Sequence, residues 1–364
     1  MKEVIVFAPL WKKIPVKGYG GIERVTLKRV KHLRLEGYKV QLVANTDERF
    51  LADEVINPDK IFRIPKSNLE ESLWLLSLKW TNYLSQFSRL GDRLWDAPIL
   101  SDTSSVDPFN NFFLSRSMGK RRITFILHGN FYFTNGVGKV LIYPVDRLIG
   151  ASKRLNFGAL NTRVSDLLKE RGLSCSYMPN GTEFVASPQM IEEPDNYLLF
   201  IGAITRLKAP HLAILLSKKL NIPLKIVGPI RDRKYFDSMI LPNIRDNIEY
   251  LGEIDENILS ELRKKAKALI FSSDWNDPQP TVVLEAMSNG VPVLALNLGY
   301  YSGIYDMIDN FQNGFVGSME EVISNAESIF ELDRKSVYEK SKAKWSWEFV
   351  LRRYHIPVIE GLST

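Results

Sequence analysis

Cysteine is nearly absent from this 364-residue chain: Cys175 is the only one, which excludes intrachain disulfides and any cysteine-based metal cluster. Histidine is scarce too. His32, His128, His211 and His355 stand apart, without the spacing of metal ligands. No apolar run approaches the ~18 residues that a membrane span needs, and neither an internal repeat nor a low-complexity segment occurs. The opening MKEVIVFAPLW has too short an apolar core for a signal peptide and no small-residue cleavage site, so it reads as a first strand. A reducing, cytoplasmic setting is expected.

What is present is ordinary globular composition, 45% hydrophobic and 25% charged, with length for about two domains. The net charge of +6 is unevenly spread. Residues 1–180 hold 28 Lys+Arg against 17 Asp+Glu, or +11, and residues 181–364 hold 20 against 25, or −5. A basic first half suits an anionic partner such as a membrane surface, a lipid phosphate or an acidic glycan; a solvated face without a partner explains it equally. Nucleic acid is not expected, because its recognition motifs are missing.

The most informative stretch is residues 268–296, ALIFSSDWNDPQPTVVLEAMSNGVPVLAL. Its first four residues form an apolar run suited to a buried parallel strand. A polar loop follows, and Pro280 can open a helix as its first residue because no N–H is needed there. The helix would span 281–289 and stop at Gly290, with a second buried strand at 291–296. In such strand, loop, helix, strand units a ligand sits at the carboxyl end of the strands, beside the helix N-terminus. Asp277 and Glu285 frame that place, and the amides of Thr281 and Val282 lie between them. A phosphate cradle between two hydroxyl-binding carboxylates suits a nucleotide sugar. The alternative is that Glu285 merely caps or salt-bridges its own helix.

The rest of the chain repeats the pattern. A strand at 3–9 leads through a loop with Gly18, Gly20 and Gly21 into a helix that Gly37 ends, and a strand at 38–44 follows. Arg24, Lys28, Arg29, Lys31 and Arg34 read as that helix's polar face, suited to anionic lipid or simply solvated. Further strands are expected at 97–100, ending in Ser101, Asp102, Thr103 and Ser104, and at 122–127, ending in His128 and Gly129. Residues 56–90 carry surplus aromatics, among them Trp74, Trp80 and Tyr83, that pack in the core or shape an acceptor groove. A polar linker at 187–196 precedes a second set of strands at 197–202, 224–228 and 248–252.

Taken in order, these pieces resemble the retaining, GT-B-fold glycosyltransferases of family four. The segment from Asp277 to Glu285 resembles their E-x7-E signature. The stretch PVKGYGGIERV resembles their N-terminal Y-G-G-x-E loop, strand plus His128-Gly129 their second site in the first domain, GASK at 150–153 their next strand end, and YMPNGTE at 177–183 their P-N-G-x-D. The stretch AITRLKAPHLAI resembles G-R-x-x-x-x-K-G, with Lys208 on the lysine. KWSWEFVLRRY at 344–354 resembles the C-terminal helix that crosses back to the first domain, with Trp345, Trp347 and Phe349 as packing residues.

The resemblance implies an α/β fold of two Rossmann-like domains facing each other across a cleft. An acceptor-side domain would span 1–186, with the helix at about 344–364 packed back on it, and a donor-binding domain 197–343. It implies metal-independent transfer of a hexose from a UDP- or GDP-sugar to a hydroxyl, with no cofactor beyond that donor. Lys208, with Arg206 left open, and the amides of Gly20, Gly21, Thr281 and Val282 would hold the diphosphate beside Pro280; Glu285 would hold the ribose, and Asp277 and His128 the sugar. Three departures matter: Ala203 replaces the usual arginine, Asp277 a glutamate and Pro280 a glycine. They keep a non-catalytic nucleotide-sugar or glycan-binding module open, and a nucleotide-sugar epimerase of the same fold is the other alternative. Base, sugar, acceptor and oligomeric state are not legible.

Overall fold

The computed structural model describes residues 2–9, 14–15, 20–46, 54–55, 92–102, 114–129, 153–184, 194–245 and 247–362. The aromatic stretch 56–90, Gly18 and Tyr19 of the glycine loop, residues 150–152 and most of the expected linker lie outside them. The chain divides into two units. The first holds Met1–Leu160, Val164–Met178 and Leu351–Thr364, and the second holds Asn161–Arg163 and Pro179–Val350.

The first unit is built on seven strands, β1 (Glu3–Phe7), β2 (Lys39–Ala44), β3 (Glu54–Val55), β4 (Ile99–Ser101), β5 (Ile123–Leu127), β6 (Leu155–Ala159) and β7 (Cys175–Tyr177). They lie parallel in the order β3-β2-β1-β4-β5-β6-β7. Val4, Ile5, Val6 and Phe7 of β1 and all of β5 are buried, as strands covered on both faces must be. Each such side chain contributes about 1.5–3 kcal/mol by leaving water. Strand order reverses between β1 and β4, the position in doubly wound sheets at which ligands bind beyond the carboxyl ends of the strands.

Helix α1 (Gly21–Leu35) leaves the loop after β1 and ends where Gly37 takes φ +85°, a left-handed conformation that glycine adopts without penalty. Its buried stripe is Glu23, Val25, Thr26, Arg29, Val30 and Leu33. Arg29 is thus not on the solvated basic face, contrary to the sequence expectation. It stands four residues from both Val25 and Leu33, on the core side of the helix, and a buried carboxylate receives it there. α2 (Thr162–Glu170) precedes β7. The segment after residue 350 joins this unit through Arg122, whose Nη2 donates to the Ile359 carbonyl at 2.7 Å, and Arg352, whose Nε donates to Glu36 at 2.9 Å.

The second unit carries six parallel strands, β8 (Leu198–Ile201), β9 (Leu224–Val227), β10 (Ile248–Gly252), β11 (Ala268–Phe271), β12 (Val293–Leu296) and β13 (Gly314–Gly317), in the order β10-β9-β8-β11-β12-β13. This is the Rossmann order, with its reversal between β8 and β11. Helices α3 (Pro210–Leu220), α4 (Glu256–Lys265), α5 (Thr281–Met287) and α6 (Met319–Phe330) connect or flank the strands. Gly228, at the end of β9, is at φ +142°, and a Cβ there would fall 2.0 Å from the Gly202 carbonyl oxygen, so the two strand ends meet backbone to backbone.

Two boundaries differ from expectation. Helix α5 ends at Met287 rather than Asn289, and Gly290 forms the turn beyond it at φ +72°. The single helix expected at 344–354 is broken: α7 (Arg334–Trp345) stops at Ser346, whose ψ of 143° is extended. The break has a partner. Thr182 N donates to the Trp345 carbonyl and Trp347 N to the Thr182 carbonyl, a short parallel bridge that ties the 179–184 segment to this point. Trp345 and Trp347 are core residues, while Phe349 is 38% exposed.

Candidate active site

In the second unit, the loops leaving β8 and β11 stand side by side at the point where strand order reverses. They are stitched together: Ser272 Oγ donates to the Ala209 carbonyl at 3.0 Å, Ser273 Oγ to the Leu207 carbonyl at 3.2 Å, and Asp274 N to the same carbonyl at 2.8 Å. The loop after β8 closes as a tight turn, Arg206–Lys208, capped by the Thr205 hydroxyl on Lys208 N. Lys208 is thereby aimed at Asp277, and its Nζ lies 2.5 Å from Oδ2. Asp277 is largely buried and Lys208 half-buried, so the pair is shielded enough to matter more than a surface ion pair.

The rest of the loop is fixed through its backbone. Gly303 N donates to the Asp277 carbonyl at 2.8 Å, and a Cβ on Gly303 would lie 2.1 Å from the Pro278 oxygen. Gln279 pairs with Asn180, accepting from its N at 2.6 Å and donating to its carbonyl at 3.2 Å. Asn180 and Gly181 of the P-N-G segment therefore support this loop, a role that sequence spacing does not reveal.

Pro280 is the N-cap of α5 rather than its first helical residue, with ψ 108° and no side-chain bond to the helix. Thr281 and Val282 are the first helical positions, and among the described residues their amides donate to no protein acceptor. They remain donors for an anion, though a seven-residue helix adds little dipole. Glu285 does not serve its own helix end. Its Oε2 accepts from Arg263 Nη2 of α4 at 3.1 Å, and that guanidinium, 5% exposed, also approaches Glu256 at 3.5 Å.

Among the described residues Arg206 forms no ion pair with Asp277. Its guanidinium lies 5.8 Å from the centre of the Tyr235 ring, whose hydroxyl is 2.6 Å from His211 Nδ1. Burial first, then the Arg206 charge, holds the His211 pKa below its ordinary value against the opposing pull of Asp274. Ala203 is buried and brings no charge.

In the first unit Gly20 caps α1 in an extended conformation, and at Gly21 a Cβ would meet nothing within 4 Å. Asp102 follows β4 and is 0% exposed. Both its oxygens lie 2.7 Å from Arg29 Nη1; Oδ2 accepts from Thr26 Oγ1 at 2.6 Å, and Oδ1 is 2.6 Å from His128 Nε2. Burial alone would raise the Asp102 pKa, but the Arg29 charge, with the hydrogen bonds from His128 and Arg29, outweighs it and holds the carboxyl well below the usual carboxylate range. His128 itself is only 3% exposed in its side chain.

The family model of the glycosyl transferases group 1 matches residues 183–344. That match lies within the second unit. The family resemblance read from the sequence is borne out. An uncharacterized glycosyltransferase of Haemophilus influenzae is 21% identical over 343 residues, covering 87% of this chain and 90% of that protein. Spore coat protein SA of Bacillus subtilis is 22% identical over 166 residues, 41% of this chain and 42% of that protein, so the chain spans less than half of that relative. The solved structure of Anabaena HepE in complex with UDP and glucose superposes with a TM-score of 0.70 at 14% identity, covering 100% of both chains. The fold of this chain is GT-B, with two Rossmann-like domains. Among its described residues no helix is long and apolar enough to cross a membrane, and no group of three or more His, Cys, Asp or Glu could hold a metal ion.

Sequence reasoning singled out Lys208, Asp277, Thr281, Val282 and Glu285, which the second unit gathers around one loop, and His128, which the first unit buries on Asp102. It passed over Arg263, Gln279 and Asp102. Only Asp102 carried a signal, as an acid directly following a buried strand.

Proposed function

We propose that this chain is a retaining, metal-independent glycosyltransferase that moves a hexose from a UDP- or GDP-sugar to a hydroxyl of a glycan, lipid or small molecule. The observation that carries the reading is the Lys208 and Asp277 pair at the reversal point of the second sheet, beside the amides of Thr281 and Val282. Lys208 and these amides would meet the diphosphate. Glu285, held by Arg263, would take the ribose diol, and Asp277 the hexose hydroxyls. HepE, solved with UDP and glucose, has the same fold and supports a uridine donor.

In this reaction the bond between the sugar C1 and the diphosphate oxygen breaks, and its electron pair leaves with the nucleotide. Lys208 stabilises the charge that develops there, the largest contribution available without a covalent step. The acceptor oxygen bonds to C1 from the face the nucleotide vacates, and its proton passes to the departing phosphate oxygen. Configuration at C1 is kept.

The amides of Gly20 and Gly21 and the buried His128 belong to the first domain's share of substrate binding. Arg24, Lys28, Lys31 and Arg34 form a basic surface for peripheral contact with anionic lipid at the cytoplasmic face of a membrane; Arg29 is not part of it. Co-sedimentation with phosphatidylserine vesicles, absent with phosphatidylcholine alone, tests that contact.

The central test is a melting-temperature screen against UDP, GDP, ADP and their common sugar conjugates, with Glu285→Ala alongside. A ligand of the folded state raises the melting temperature by mass action. A shift with one nucleotide, lost in the variant, followed by release of that nucleotide from its sugar conjugate, is the expected result. Binding without release would make the chain a binding module, conversion of the sugar without release an epimerase, and no shift at millimolar ligand would overturn the reading.

A further inference from the structure

The buried cluster around Asp102 does more than fill the first unit. An ionised carboxylate has no proton to give, so every group touching it must donate. Arg29 can only donate and Thr26 does so through its hydroxyl, but His128 has a choice of ring nitrogens. Because its Nε2 lies 2.6 Å from Oδ1, Nε2 must carry a hydrogen. In the neutral ring Nδ1 is then a bare lone pair, and among the described residues it makes no hydrogen bond.

We propose that Asp102 is a positioning residue that fixes the tautomer and orientation of His128, so that Nδ1 accepts a hydrogen bond from a substrate hydroxyl. Arg29 and Thr26 support it by keeping the fully buried carboxylate charged and immobile. A lone buried carboxylate would be strongly unfavourable; with a guanidinium, a hydroxyl and an imidazole on its two oxygens it is fully engaged. The sequence around His128 shows none of this, because Thr26, Arg29 and Asp102 come from two other segments of the chain. The nature of the hydroxyl rests on the transferase reading; the tautomer does not.

The test is nitrogen NMR of the full chain labelled with 15N-histidine. The chain has four histidines, so His128 is assigned by its loss in His128→Gln. The wild-type ring is expected with Nε2 protonated and Nδ1 bare, and a proton on Nδ1 or a mixture of tautomers overturns the proposal. Asp102→Asn keeps a carbonyl acceptor for Nε2 and should keep the wild-type signature. Arg29→Met with Asp102→Leu removes both buried charges together and should give mixed tautomers; a wild-type signature in that variant, checked as folded by its melting curve, also overturns the proposal. UDP-glucose is then added as the probe, with UDP as control. Movement of the Nδ1 resonance with UDP-glucose but not with UDP supports the substrate contact. An unmoved Nδ1 with UDP-glucose bound, judged by a raised melting temperature, overturns that contact. If UDP-glucose does not bind, this donor falls, and the tautomer spectra still decide the role of Asp102.

Discussion

Lys208 and Asp277 form an ion pair: Nζ lies 2.5 Å from Oδ2, so the cation proposed for the diphosphate and the anion proposed for the sugar lie against one another. A donor must separate them or share them. The two residues should therefore respond differently to substitution. Lys208→Met removes a charge-assisted contact to phosphate and is expected to weaken UDP binding by about tenfold to a hundredfold. Asp277→Asn frees Lys208, so UDP should bind at least as tightly as in wild type while turnover falls roughly a hundredfold. Calorimetry with UDP, beside a nucleotide-release assay, separates the two. Weaker UDP binding in Asp277→Asn would show that the carboxylate aligns Lys208 rather than competing for it.

The carboxylate of Glu285 is held in a comparable way, 3.1 Å from Arg263 on the preceding helix. A carboxylate with one oxygen fixed by a guanidinium presents the other in a defined direction, as recognition of a ribose diol requires. Arg263→Met should leave UDP binding measurable but reduce the preference for UDP over 2′-deoxy-UDP, by about threefold to tenfold if one hydrogen bond of typical strength is misaligned. Equal discrimination in the variant and the wild type would mean that Arg263 serves only to cover α4.

These contrasts mark what a sequence can and cannot display. Strands such as ITFIL and ALIF and the left-handed Gly37 are local: apolar runs and a backbone requirement fix them, and they stand where the pattern puts them. The gathering of Lys208, Asp277 and Glu285 follows from motif order along a repeated strand and helix plan. Arg29 was misread because helical charge patterning assumes that a cation faces water, and the buried Asp102 that reverses this lies 73 residues away. The break at Ser346 depends on a backbone bridge to Thr182, more distant still in sequence. Pairings of this kind leave no periodic trace.

Ala209 offers a stability test. It follows Lys208, is fully buried, and sits at φ 48° and ψ 47°, a left-handed conformation that a Cβ makes unfavourable by about 1–2 kcal/mol. Glycine relieves that strain, offset in part by the greater freedom it gives the unfolded chain. Ala209→Gly is thus expected to raise stability by up to about 1 kcal/mol, read as a higher denaturant midpoint with an unchanged slope. A lowered midpoint would mean that the Ala209 methyl packs well enough to outweigh the strain.

Cys175, the only cysteine, lies in β7, and burial pushes its thiol pKa up to about 11, against weaker lowering by Ser165, Ala159 and Lys169. The thiolate is the nucleophile, so at pH 8 the folded chain should react with iodoacetamide about a hundredfold more slowly than the unfolded chain, whose thiol titrates near 9.0. The same shift links folding to alkaline pH. Because the folded value is raised, the neutral thiol's contribution to stability is complete below pH 9 and fades as pH climbs from 9 towards 11. Cys175→Ala should flatten that part of the pH dependence, measured by denaturant melts between pH 8 and 11, while making the chain less stable at pH 7 through the lost side-chain volume. Rapid native labelling at pH 8 would show that β7 opens locally far more often than its burial suggests.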